Sequence, residues 1–358
     1  SVFFSFQRPL GRCRQLDTHM SKLRPCSTMQ ATLRPMLVVI LLLIAGGLPL
    51  LSHDDTDIEL SNVSTNFQTI ISVDTVWNGD VSISDNVTVS HGVKLTVKSG
   101  SHLNISADVR IQVAGTLEAN DTIIDSSLQP IGAGNTGGGL WDGIVIDAGG
   151  ILRMNNVSIS NARTAIAMSG TATILNSVIE NSYVGFDIDG QMNATNISCQ
   201  DIDISCLMVS GTATVLGFSA TNVSTGVSLS GHLSLIDGLV TTAGTGFDIS
   251  GGSGLISDTH VDSTSTGWRV RGATSVASGL STSSDVGLLI DAGASSGFAM
   301  SFHSGDADRV LYADGVTDLQ LTNVTANTEA SDTTAIDVRN DGTLTLTNLN
   351  LNNYSSGF

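Results

Sequence analysis

From about residue 150 the chain keeps restating one short phrase, in which apolar and polar positions alternate and a glycine closes the run. It reads VGFDIDG at 184–190, TGVSLSG at 225–231, TGFDISG at 245–251 and TGWRVRG at 266–272. Strict alternation marks a half-buried β-strand, because successive side chains of an extended chain point to opposite faces. The closing glycines are Gly150, Gly170, Gly190, Gly211, Gly231, Gly251, Gly272, Gly293, Gly315 and Gly342, at intervals of 20, 20, 21, 20, 20, 21, 21, 22 and 27. A second alternating stretch precedes each glycine: VSISN at 157–161, SVIEN at 177–181, FSATN at 218–222 and LNLNN at 349–353.

Such regularity in a chain of otherwise degenerate sequence is a structural repeat. A unit of about 21 residues has no room for a crossover helix, which leaves sequential hairpins or a coil with one turn per repeat. The recurrence of matching inward residues at a constant interval favours the coil, in which each phrase stacks in parallel on its counterpart at roughly 4.8 Å. Nine intervals then make a rod about 43 Å long. The predicted inward set is Ile166, Met168, Phe186, Ile188, Leu207, Val209, Val227, Leu229, Phe247, Ile249, Trp268 and Val270. The closing glycine is expected to supply the backbone freedom of a corner.

At this point the sequence resembles the right-handed parallel β-helix proteins of the pectin lyase-like superfamily. The Asn-ended phrases are similar to that family's inward Asn ladder, here Asn161 and Asn181, with Asp201 and Asn222 in equivalent places and Ala243 and Ser263 breaking the series. The stretch 76–106, followed by IQVAGTLEAN and LWDGIVID, resembles the opening turns of secreted microbial members, with Trp77 and Trp141 in a W-x-G pattern. The resemblance covers 76–358 and implies an all-β, right-handed parallel β-helix (solenoid) of about 20 to 22 residues per coil. It implies little about activity, because this architecture hosts unrelated functions. The last phrase stops partway through a coil, so a β-helix truncated at its C-terminus is expected.

Composition fits: only 4% of the chain is aromatic, against 38 Gly, so one large core is hard to fill and many short strands are not. Charge is uneven. Six of the fifteen Lys and Arg (Arg8, Arg12, Arg14, Lys22, Arg24 and Arg34) precede Met36, and the acidic body that follows excludes nucleic acid as a partner. Between them the apolar run 36–51 reads as an export signal peptide or membrane anchor, preceded by a basic segment 1–35 and followed by a linker and N-terminal cap at 52–75. Everything after it is expected outside the membrane, extracellular or at the cell surface. Cys199 and Cys206 are the two exported cysteines; by alternation Cys199 faces inward and Cys206 outward, which favours unpaired thiols over a mutual disulfide.

Enzymes of the resembling family cleave or de-esterify acidic polysaccharides, with carboxylates and basic residues on neighbouring turns of one outer face. Here one outward column runs Asp187, Met208, Ser228, Asp248, Arg269, and the next Asp189, Ser210, Ser230, Ser250, Arg271. Asp248 and Arg269 read as an exposed ion pair. Asp187 and Asp189 lie about 6.8 Å apart at strand rise, within the spacing of inverting glycosidase carboxylates, although any D-x-D on a strand has that spacing. Asp201 with Asp203, and Asp306 with Asp308, are weak Ca²⁺ candidates without EF-hand spacing; no other cofactor is expected. The exported histidines (His53, His91, His102, His232, His260 and His303) show no metal-binding spacing. Asn62, Asn86, Asn104, Asn120, Asn156, Asn193, Asn196, Asn222, Asn323 and Asn353 begin glycosylation sequons, where composition predicts roughly five. The expectation is a non-catalytic exported rod, a spacer or adhesin with polysaccharide or cell-envelope partners; the alternative is a polysaccharide lyase or glycoside hydrolase.

Overall fold

The computed structural model describes residues 58–60, 68–126, 139–272, 274–291, 299–306, 309–315, 318–327, 334–339, 343–352 and 354–355. All lie within the unit Thr56–Phe358. The described residues contain no helix, and their strands pair in parallel. None therefore forms a helix long and apolar enough to cross a membrane; the run 36–51 lies outside the described residues.

The regular part is the stack Thr171–Ile188, Gln191–Val209, Thr212–Leu229, His232–Ile249, Gly252–Val270 and Thr274–Ile290, one turn of solenoid each. Its register repeats faithfully: Phe186 pairs with Leu207, then Val227, Phe247, Trp268 and Leu288. Toward the N-terminus, Ile58–Leu60 and Thr69–Ile71 already stack in parallel on Thr75–Trp77 and Val87–Val89.

Two columns of positive-φ residues bend the turns from Ile151 to Val270, the first column reaching back to Asp121. The first holds Asp121, Asn156, Asn176, Asn196, Gly217, Asp237 and Asp258; the second holds Asn161, Asn181, Asp201, Asn222, Thr242 and Ser263. Asn and Asp dominate because their short polar side chains tolerate the left-handed region that longer or branched ones avoid. With a third corner at the closing glycine, a turn has three faces; in one turn these are residues 171–175, 177–180 and 182–188.

The predicted inward residues are all buried, and each fully buried aliphatic or aromatic side chain contributes about 1.5–3 kcal/mol. Parallel register stacks like on like, so the rings of Phe247 and Trp268 lie face to face, centroids 3.9 Å apart and 4° from parallel.

Three sequence expectations are corrected. The closing glycines serve close approach more than backbone freedom: Gly190, Gly211 and Gly231 lack positive φ, but a Cβ there would lie 2.1–2.3 Å from the carbonyl oxygen of the glycine one turn earlier. In the next turn Gly252, not Gly251, takes this place. The Asn series is not an inward ladder, since Asn161 is buried but Asn181 and Asn222 are exposed corner residues, and the counterpart of Asn222 is Thr242 rather than Ala243.

The third correction is a disulfide joining Cys199 and Cys206, with Cα atoms 5.8 Å apart. Alternation fails between them because the chain rounds the second corner and shifts register between Ile202 and Ser205, leaving Ser205, Cys206 and Leu207 consecutively buried. Cys206 occupies a column otherwise held by Gly185, Gly226 and Gly246. This column faces straight across the interior: a Cβ on Gly226 would lie 2.8 Å from Val240 Cγ1, and Val240 is two turns on from Cys199 in its own column. The Cys pair thus fills, within one turn, the two columns that hold Val240 and Gly246 in the turn His232–Ile249.

Candidate functional site

The third face presents two outward columns. The first runs Gln112, Val145, Ala167, Asp187, Met208, Ser228, Asp248, Arg269, Leu289, Tyr312, Asp337. The second, two residues further along each turn, carries Asp189, Ser210, Ser230, Ser250, Arg271 and Asp291, and ends in Asp314 paired with Arg339. Every Lys and Arg after Arg163, namely Arg269, Arg271, Arg309 and Arg339, belongs to this face.

Asp248 and Arg269 are neighbours in register as expected, yet they are not each other's ion-pair partners. Arg271 forks Asp248, with Nε on Oδ1 at 2.7 Å and Nη2 on Oδ2 at 2.5 Å. Arg269 reaches forward to Asp291 Oδ2, at 2.8 Å from Nε and 2.6 Å from Nη2. A long side chain reaches diagonally across a sheet more readily than it folds onto the residue directly alongside, and the forked approach satisfies both carboxylate oxygens. Further along, Arg339 donates to Asp337 from Nε at 3.0 Å and Nη2 at 2.8 Å, and Arg309 Nη2 stands 3.9 Å from Asp337 Oδ2. Both guanidinium groups lie over Tyr312, at 5.1 Å and 5.4 Å from the ring centroid. The hydrogen bond from Arg339 holds the Asp337 carboxyl below the usual carboxylate range.

Asp187 is half-buried between Ala167 and Met208. Burial, and secondarily the charge of Asp189, push its carboxyl above the usual range. Asp189 is exposed and accepts a hydrogen bond from the Ser210 hydroxyl at 3.3 Å. The pair therefore differs in environment, which is what acid and base roles need.

The remaining candidates are not drawn together. Asp201 is a second-corner residue that accepts hydrogen bonds from the Asn222 amide and, at 3.2 Å, from Gln200 Nε2. Asp203 is exposed beyond it. Asp308 and the side chain of Asp306 lie outside the described residues. Among the described residues no three His, Cys, Asp or Glu side chains are grouped to hold a metal ion.

The sequons sort by position. Asn156, Asn196 and Asn222 are left-handed corner residues, each followed by an inward Val157, Ile197 or Val223 and an outward Ser158, Ser198 or Ser224. The solenoid grammar itself writes N-V-S and N-I-S at its corners, which accounts for part of the excess. Asn86 and Asn193 are exposed, while Asn104 and Asn120 are half-buried. Asn62 and Asn353 lie outside the described residues, as does the side chain of Asn323.

Arg309, Tyr312, Asp337 and Arg339 escaped the sequence reading, although DADRVLYAD and IDVRND carry the signal: outward slots filled by charge where earlier turns hold Ser. The lengthened intervals there concealed their equivalence to the earlier phrase.

No family model matches the chain. No curated protein matches it either. Among solved structures it is similar to the A-module of the Azotobacter vinelandii mannuronan C-5 epimerase AlgE4, at 13% identity and TM-score 0.37 over 79% of this chain and 87% of that one. It is likewise similar to a polygalacturonase from Erwinia carotovora ssp. carotovora, at 11% identity and TM-score 0.34 over 85% and 99%. A third likeness is to the Streptococcus pneumoniae surface protein and adhesin PfbA, at 9% identity and TM-score 0.27 over 77% and 92%. The register and burial of the chain's own residues establish what it is architecturally: a parallel β-helix with one turn per sequence repeat.

Proposed function

We propose that the chain is a non-catalytic, exported β-helical surface protein whose third face contacts polysaccharide. The observation that carries this reading is the confinement of every Lys and Arg after Arg163 to one face, each guanidinium held near an aspartate and two of them, those of Arg309 and Arg339, over the outward Tyr312. Guanidinium N–H groups offer donors to sugar hydroxyls, carboxylates offer acceptors, and a Tyr ring offers an apolar surface with a polar tip. Pre-paired side chains lose less conformational freedom on binding than free ones. The disulfide supports export, since such bonds persist in oxidising compartments; the apolar run 36–51 would serve as signal or anchor. The ten sequons remain acceptor candidates on an exported chain.

The test is retention of the region from Asp54 onward on immobilised neutral and acidic polysaccharides. Tyr312→Ala is expected to lower retention at least tenfold, and Ser230→Ala on the same face to leave it within twofold. Equal retention of wild type and Tyr312→Ala on every polysaccharide would remove the third face from the account.

One observation favours a second reading, a polysaccharide lyase or glycoside hydrolase. Asp187 combines half-burial and a carboxyl pushed above its usual range with a neighbouring exposed Asp189, two carboxyls in unlike environments on one strand.

A further inference from the structure

Away from the third face, the first corner carries a shallow groove of about 270 Å³. Its floor arises from size alternation in one outward column. Ile123, Ser158 and Val178 hold equivalent positions on three successive turns, so a small hydroxyl sits between two branched apolar side chains. Ile123 is 52% exposed. Two turn spacings separate it from Val178, about 9.6 Å. That suits apolar groups in contact with opposite faces of one intervening ring, each contact being about 4 Å.

The wall of the groove is the corner itself, where Asp121, Asn156 and Asn176 take positive φ and expose their side chains. Asn156 Nδ2 donates to Asp121 Oδ1 at 2.8 Å, and Ser99 donates to Asp121 Oδ2 at 3.0 Å. Asn176 donates to Asn155 Oδ1 at 3.2 Å and accepts from Asn196 Nδ2 at 3.1 Å. These bonds fix the amides, and an amide has two N–H donors and two lone pairs, so capacity is left over. The hydrogen bonds from Asn156 and then Ser99 keep the Asp121 carboxyl below its usual range. The lining thus carries one negative charge and no Lys or Arg, which disfavours an acidic ligand.

We propose that this groove binds a neutral sugar ring of a glycan, with C–H faces against Ile123 and Val178 and hydroxyls on Ser158 and the corner amides. The proposal rests on the carbohydrate reading above but not on the third face. It is tested by titrating the isotope-labelled region from Asp54 onward with cellotetraose, mannotetraose and maltotetraose, with tetragalacturonate for comparison, following amide NMR shifts. The expected result is saturable shifts at 121–123, 156–158 and 176–178 with at least one neutral tetrasaccharide. Ile123→Ser and Asn176→Gly should each weaken that binding at least tenfold while the amide spectrum stays that of the folded chain, because Ile123 is exposed and glycine accepts the left-handed backbone of Asn176. Silence of these amides with all three neutral probes, unchanged affinity in both variants, or equally tight binding of tetragalacturonate would overturn it. Shifts that vanish only in Tyr312→Ala would sink the groove and uphold the third face; shifts that survive Tyr312→Ala uphold the groove whatever becomes of that face.

Discussion

Single residues in this solenoid are selected by their place in a column, and the column states the physical demand. At Asn176, φ is +48°, whereas at Gly231 the constraint is a neighbouring carbonyl 2.3 Å from where a Cβ would sit. Asn176→Ala should therefore be less stable than Asn176→Gly by about 1 kcal/mol, the cost of a side chain in the left-handed region. Gly231→Ala should cost about 1–3 kcal/mol through overpacking. Denaturant melts of the three variants check both expectations. Asp187 adds a pH signature. Its carboxyl is raised in the folded chain, so folding binds a proton more readily than the unfolded chain does, and the stability it contributes is lost as pH rises through the folded pKa. Asp187→Asn should match wild type near pH 3 and melt higher than wild type at pH 7. A constant difference across that range would contradict the assignment.

At the scale of the element, the strand phrase was legible in the sequence and the corner was not. Alternation identifies Phe186, Ile188, Phe247 and Ile249 as inward because each straight segment keeps strict parity. Parity is lost wherever a left-handed residue bends the chain, and there the reading failed: at Cys206, at Thr242 and in the orientation of Asn181. The same loss explains why the ion pairing of Asp248 was misassigned although its column was correct, since register fixes neighbours but not which way a long side chain leans. The disulfide offers the clearest test at this scale. Its short loop predicts a loss of about 2–3 kcal/mol on replacing both cysteines by alanine. Cys199→Val combined with Cys206→Gly gives this turn the residues that Val240 and Gly246 place in the same two columns of a later turn, so this double variant should recover part of that loss. It should also melt identically with and without reductant.

Across the whole solenoid, each turn contacts chiefly the turn before and the turn after, so stability accumulates along the stack from nearest-neighbour terms. Function on such a scaffold has to be written on its outer faces. The architecture and the third face as far as Arg271 were readable from the period of the glycines, whereas Arg309, Tyr312, Asp337 and Arg339 were not, because they lie where the intervals stretch to 22 and 27 and the phrase no longer announces itself. The first-corner groove was less readable still, as it depends on which residues of distant sequence share a column. The central claim is that the third face binds polysaccharide and leaves it intact. The most direct measurement is a time course of new reducing and unsaturated ends in each polysaccharide that retains the protein, run with wild type and Asp187→Ala side by side. The account predicts retention with no ends above background in either sample; ends that accumulate with wild type and disappear with Asp187→Ala would contradict it and make the chain an enzyme.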